Sequence, residues 1–147
     1  MIREIRQTDL EILGEMYYKL FTSEGWKFEW LEQDNVRRYL KDMYEINNFR
    51  GYVYIYENIL LGCCFGEASD YFSAKQFVIK EIYMDLKVQR RGLGTLFLSE
   101  IEEDLKENGF NNVMLYTVKT IPAYEFYHKN GYIDGDECSC LAKFLQE

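Results

Sequence analysis

Lys87-Val88-Gln89-Arg90-Arg91-Gly92-Leu93-Gly94-Thr95 stands between two segments of opposite character. Before it, Phe77-Val78-Ile79-Lys80-Glu81-Ile82-Tyr83-Met84 is β-branched and aromatic and reads as a strand. After it, Leu96 to Leu105 alternates apolar and acidic positions at helical spacing. A strand, a glycine-bearing turn and a helix in that order put free backbone N–H groups at a helix N-terminus, where the dipole favours an anion. Gly92 and Gly94 carry no side chain where a ligand would approach, and Arg90 and Arg91 add positive charge. The local reading is a diphosphate cradle. It is not a P-loop, because no Gly-x-x-x-x-Gly-Lys-Ser/Thr run exists. It is not a dinucleotide fingerprint, because Phe97 stands where a third small residue belongs. What remains is Gln89-x-x-Gly92-x-Gly94.

Composition narrows the class. The 147 residues suit one domain, residues 1–147, and 48% hydrophobic residues predict a packed globule. No apolar run approaches the roughly 20 residues of a membrane span. Met1-Ile2-Arg3-Glu4 has no apolar signal region, so the expected address is the cytoplasm. A net charge of −8 argues against a nucleic-acid partner and is compatible with a cationic substrate, although acidity also serves solubility. Cys63, Cys64, Cys138 and Cys140 lack zinc-site spacing and read as buried thiols in strands. His128 is the only histidine, so no metal is expected, and it also reads as an exposed helix residue.

Taken in order, Ile2 to Gln7 reads as a strand, and Thr8 or Asp9 caps a helix running to Phe21. An aromatic segment follows, with Trp26, Phe28 and Trp30 near the acids Glu24, Glu29, Glu32 and Asp34. It either lines a substrate cleft or covers the core. A second helix is expected over Leu31 to Ile46. Gly51 to Tyr56 and Ile59 to Phe65 form a hairpin turning at Glu57-Asn58. Glu67 to Lys75 reads as a loop or irregular strand end, with Asp70, Tyr71 and Phe72 able to face a substrate. The strand Phe77 to Asp85 and the helix Gly92 to Asn108 come next. A strand over Asn112 to Val118 should run parallel to the Phe77 to Asp85 strand through a right-handed crossover. Pro122 opens a short helix that Gly131 stops, and Tyr132-Ile133 and Cys138 to Phe144 are the last expected strands.

Gln89-x-x-Gly92-x-Gly94 resembles the acyl-CoA signature of the Gcn5-related N-acetyltransferase (GNAT) family. Ala123-Tyr124-Glu125-Phe126-Tyr127-His128-Lys129-Asn130-Gly131-Tyr132 resembles the family's other recognisable block. Nearly the whole chain matches that fold: a mixed, mostly antiparallel sheet of about seven strands flanked by about four helices. The resemblance implies acetyl-CoA as acyl donor, its pyrophosphate held by Gln89, Arg90, Arg91, Gly92, Leu93, Gly94 and Thr95. It implies that backbone groups of Ile82, Tyr83 and Met84 hold the pantetheine arm where their strand splays from its parallel neighbour, and that a free N–H there polarises the thioester carbonyl.

Tyr127 falls at the position of the family's general acid, which protonates the departing thiolate. A phenol with a pKa of about 10 carries that proton at neutral pH. A core tyrosine anchoring the helix is the alternative. The family often has an asparagine at the position of Thr120, which can still hydrogen-bond the coenzyme arm. Glu81, the acid within the strand Phe77 to Asp85, is the candidate base that takes a proton from the amine. It reads equally as a solvent-facing or substrate-binding glutamate, and Asp85 reads as structural.

The reaction implied is direct acetyl transfer to a primary amine through a tetrahedral intermediate. A small cationic acceptor of polyamine or aminoglycoside type suits the acidic balance. A peptide or protein amine, or an acyl-CoA sensor without turnover, are the rivals. Homodimers occur in the family, but no residue here names an interface.

Overall fold

The computed structural model describes residues 1–23, 25–71 and 74–146, so Glu24 and Phe72 lie outside the described residues, as does the side chain of Tyr71. The chain divides into two compact units, Met1–Tyr116 and Thr117–Glu147.

The first unit is built on a five-stranded sheet in the order β1 (Ile2–Glu4), β2 (Phe49–Tyr56), β3 (Ile59–Tyr71), β4 (Ala74–Met84) and β5 (Asn112–Leu115). The pairs are antiparallel except β4 with β5, which is parallel. That parallel pair needs a long crossover, and helix α3 (Leu93–Glu107) supplies it. Between β1 and β2 lie α1 (Leu10–Phe21) and α2 (Gln33–Tyr44).

The two-residue turn Glu57-Asn58 closes the β2–β3 hairpin with both residues at positive φ, 50° and 64°. That is the backbone whose twist matches a right-twisted hairpin, and Asn tolerates it well. The helix starts at Asp9 by a different device from a simple side-chain cap. A single 3-10 turn, Gln7–Asp9, leads into α1, and the Asp9 carboxylate accepts the Arg6 N–H at 2.7 Å. The Arg3 guanidinium donates to both Asp9 oxygens, and these bonds chiefly hold the Asp9 carboxyl below its ordinary range.

Each face of the sheet buries its own helices. Ile5, Val53, Cys63, Phe65 and Tyr83 pack with Leu13, Met16 and Leu20 of α1 and with Val36 and Leu40 of α2. The opposite face carries Tyr52 and Tyr54, whose neighbours alternate with that set. Tyr54 meets Phe97 of α3 with ring centroids 5.4 Å apart, and Tyr52 donates to Asp104 of α3 at 2.7 Å. Cys63 and Cys64 are both buried, one toward each face.

Several expectations are corrected. Among the described residues the sheet has five strands, not about seven. Tyr132-Ile133 and Cys138 to Phe144 form no strand, because β structure needs a hydrogen-bonded neighbour and no ladder reaches them. Cys138 and Cys140 are accordingly exposed rather than buried in strands. Glu67 to Tyr71 and Ala74 to Gln76 belong to the paired strands, since Glu67, Ala68, Ser69 and Asp70 pair with Val78, Phe77, Gln76 and Lys75. Their polar side chains conceal a backbone ladder that does not depend on them. β5 ends at Leu115, three residues before the expected boundary, and α2 starts at Gln33.

Among its described residues the second unit has one regular element, α4 (Pro122–Lys129), with Pro122 in its first turn. The helix stops in a Schellman motif at Asn130-Gly131-Tyr132. The Tyr132 N–H donates to Tyr127 O at 3.0 Å and the Gly131 N–H to His128 O at 3.1 Å, with Gly131 at φ +90°. The rings of Tyr127 and Tyr132 meet at 5.4 Å, the apolar contact that accompanies this stop. Among the described residues no helix is long and apolar enough to cross a membrane.

Candidate active site

Strand β4 is irregular at one point, and the site is arranged around it. Phe65 of β3 pairs with Glu81, but the next residue, Gly66, pairs with Ile79. Lys80 is therefore an extra residue, a β-bulge. Counted by strict alternation, Phe77, Ile79 and Glu81 would share a face. The bulge breaks that count. Phe77 and Ile79 lie opposite Ala68 and Gly66, while Glu81 and Tyr83 lie opposite Phe65 and Cys63 on the α1–α2 face.

The pairing with β5 ends at the same place. Its last partners are Ile79 and Leu115. From Lys80 to Met84, that edge of β4 has no strand beside it among the described residues, although the other edge stays bonded to β3. Ile82, Tyr83 and Met84 are on this stretch. The Tyr83 side chain is committed elsewhere, since its hydroxyl donates to Leu13 O at 2.9 Å within the core.

Glu81 is half-buried on the α1–α2 face. Its Oε1 accepts the Tyr39 hydroxyl of α2 at 2.8 Å and, more weakly, the Tyr17 hydroxyl of α1 at 3.4 Å. No cationic side chain among the described residues pairs with it. Burial pushes the Glu81 carboxyl above the ordinary range, and the hydrogen bonds from Tyr39 and Tyr17 offset part of that rise. Both phenols are themselves pushed up, first by burial and then by the Glu81 charge. A carboxylate raised in this way and still within reach of water is suited to accept a proton.

Beyond Met84, Asp85 accepts the Lys87 N–H at 2.9 Å and opens a 3-10 turn, Leu86–Val88. The Gln89 side chain donates to Met84 O at 3.1 Å, which ties the turn back to the end of β4. Gln89 thus has a structural bond that the motif alone did not show. Arg90 sits at φ +64°, unusual for a residue with a Cβ, and Gly92 at φ +75° forms the N-cap of α3. The Leu96 N–H donates to Gly92 O at 3.3 Å, so the N–H groups of Leu93, Gly94 and Thr95 lie ahead of the helical ladder. A Cβ placed on Gly92 would meet no atom within 4 Å, and Arg90 and Arg91 are exposed. An open approach, N-terminal amides and two cations fit a pyrophosphate.

Tyr127 and Thr120 belong to the second unit. Tyr127 is buried against Phe126 and Tyr132, and Thr120 is exposed before the helix. The same unit holds a cluster absent from the sequence reading. Tyr124 donates to Asp134 at 2.7 Å, and His128 Nε2 lies 3.0 Å from the same carboxylate. Tyr17 and Tyr39 were also missed. The one available signal was their place on the inward faces of two helices, which any core tyrosine shares.

A half-buried carboxylate thus lies on a strand that has lost its parallel partner, and the strand leads into a glycine turn whose amides open a helix. The model of the acetyltransferase (GNAT) family matches residues 11–132, and the chain belongs to that family. No curated protein sequence matches this one. Similar solved structures include a possible acetyltransferase from Clostridium difficile 630, at 19% identity and TM-score 0.79, covering 99% of this chain and 98% of the other. An aminoglycoside acetyltransferase from an uncultured soil metagenomic sample, in complex with sisomicin, is 17% identical with TM-score 0.71, covering 99% and 96%. A predicted acetyltransferase with acetyl-CoA from Clostridium acetobutylicum is 18% identical with TM-score 0.68, covering 97% and 95%. At these identities the likeness is one of fold.

Proposed function

We propose that residues 1–147 form a single acetyl-CoA-dependent N-acetyltransferase domain acting on the primary amine of a small cationic molecule, of polyamine or aminoglycoside type. The observation that carries the reading is Glu81: a half-buried carboxylate without a cation, turned by the Lys80 bulge toward α1 and α2 where β4 leaves its parallel partner. Acetyl-CoA, as substrate, brings a thioester carbonyl to this edge. The N–H groups at the start of α3, with Arg90 and Arg91, hold its pyrophosphate. Thr120 hydrogen-bonds the coenzyme arm. Backbone groups of Ile82, Tyr83 and Met84 hold its amides and orient the carbonyl. An aliphatic amine is mostly protonated at neutral pH, so Glu81 takes the proton that frees its lone pair. Tyr127 gives a proton to the departing thiolate.

Two features favour a cation as acceptor. Glu81 supplies an uncompensated negative group. A row of touching rings then runs outward from Tyr17, which neighbours Glu81. Tyr17 and Phe21 lie 4.4 Å apart, Phe21 and Phe28 5.8 Å, and Phe28 and Trp30 5.4 Å, with Trp30 74% exposed. Aromatic faces of this kind attract ammonium groups.

The test is thiol release from acetyl-CoA against polyamines, aminoglycosides, amino acids and short peptides, with calorimetry for coenzyme binding. Release with polyamines or aminoglycosides is expected. Release with peptides alone would move the acceptor to a peptide amine. Tight coenzyme binding with no release across the panel would mark a sensor.

A further inference from the structure

The two oxygens of Glu81 are not equivalent. Oε1 accepts both phenols, from Tyr39 at 2.8 Å and Tyr17 at 3.4 Å. Among the described residues Oε2 takes part in none of the hydrogen bonds, yet no buried side-chain oxygen there lacks a partner. Oε2 therefore reaches solvent. Of the two donors, Tyr39 is closer and 41% exposed, whereas Tyr17 is packed between Phe21, Tyr39 and Tyr83.

We propose that Tyr39 and Tyr17 are positioning residues that clamp Glu81 by Oε1 and present Oε2 as the atom that receives the acceptor's proton. The inference rests on the reading of Glu81 as the base and adds to it the source of its orientation. A carboxylate on a flexible glutamate stem loses rotamer freedom when held, and a clamp from two different helices fixes it before the acceptor arrives. The proton balance is simple. The N–H bond of the ammonium breaks, an O–H bond forms at Oε2, and both phenols keep their protons.

The groups facing Glu81 are few. Among the described residues they are Tyr17 from α1, Tyr39 from α2, Tyr83 from its own strand and the Cys63 thiol of β3, with Cys64 behind the sheet on the other face; burial and the Glu81 charge raise both thiols. None carries a positive charge. A phenol O–H donated to a carboxylate stabilises the charged form, so removing one raises the pH at which Glu81 takes up a proton.

The experiment follows the Glu81 carboxyl carbon by NMR in the full chain labelled with carbon-13 glutamate, assigned by its loss in Glu81→Gln. Tyr39→Phe should move its titration to higher pH, and Tyr17→Phe should move it in the same direction by less. Tyr17→Phe also serves as the second probe if Tyr39→Phe does not fold. With an acceptor from the panel, the acid limb of kcat/KM should shift the same way in Tyr39→Phe. The loss should be roughly tenfold below that limb and no more than about threefold on the plateau. Unchanged carboxyl titration in both variants overturns the clamp. Full thiol release by Glu81→Gln overturns the base instead, a separate failure.

Discussion

Two carboxylates on opposite sides of one sheet each accept from tyrosine, one phenol at Asp104 and two at Glu81, and their remaining neighbours differ. Asp104, on α3, accepts Tyr52 at 2.7 Å and the Arg50 guanidinium at 2.9 Å, while Arg50 Nε also donates to the Tyr52 oxygen at 2.7 Å. Its charge is answered, and the cluster ties β2 to α3. Among the described residues Glu81 accepts two phenols and no cation. A phenol satisfies a carboxylate's lone pair without cancelling its charge. The Asp104 cluster therefore has the composition of a structural tie. The Glu81 cluster keeps a charge available to a reactant.

Substitutions can break this contrast. The largest effect is expected from Glu81→Gln, which should lower kcat/KM for an accepted amine by roughly 10²–10⁴-fold, the usual contribution of a positioned base. Steady-state kinetics check it, and a loss under about fivefold would put Glu81 in the same structural class as Asp104. Arg50→Met should act the other way, costing about 1–2 kcal/mol of stability in urea unfolding and leaving kcat within about twofold. The figure is below that of a fully buried pair, because Asp104 is 34% exposed. The smallest effect sharpens the comparison. Glu81 is held above the ordinary carboxylate range, so between its unfolded and folded values the native state binds more protons. Stability then falls as pH rises from the unfolded value through the folded one. Glu81→Gln should flatten that slope on the alkaline side of the unfolded carboxylate's titration, as measured by urea midpoints.

The sequence made some of this legible. The strand, turn and helix around Gln89 to Thr95 could be read because glycines and charges sit where the backbone is special. Asn130-Gly131 marked a helix stop for the same reason. Glu81 was singled out as an acid in a strand of apolar residues. Its partners were not, because Tyr39 and Tyr17 lie 42 and 64 residues away and meet it only through packing. The bulge at Lys80 left no trace, since neighbouring residues of either polarity fit a strand with one face on each helix layer. The polar run Glu67 to Asp70 hid a strand, because backbone pairing is blind to side-chain polarity.

The bulge also bears on how such a chain tolerates change in length. On either side of Lys80 the ladder is continuous, with Ile79 on one face and Glu81 on the other. Removing that one residue would splice two segments already in the correct alternation, so every inward side chain of β4 would keep its face. Loss of almost any other single residue in the strand would invert a run of them. Position 80 is thus where a codon deletion does least harm to the core and most to the bend that accompanies β4's parting from β5. Fold and chemistry are separable there by a lesion that no amino-acid exchange reproduces.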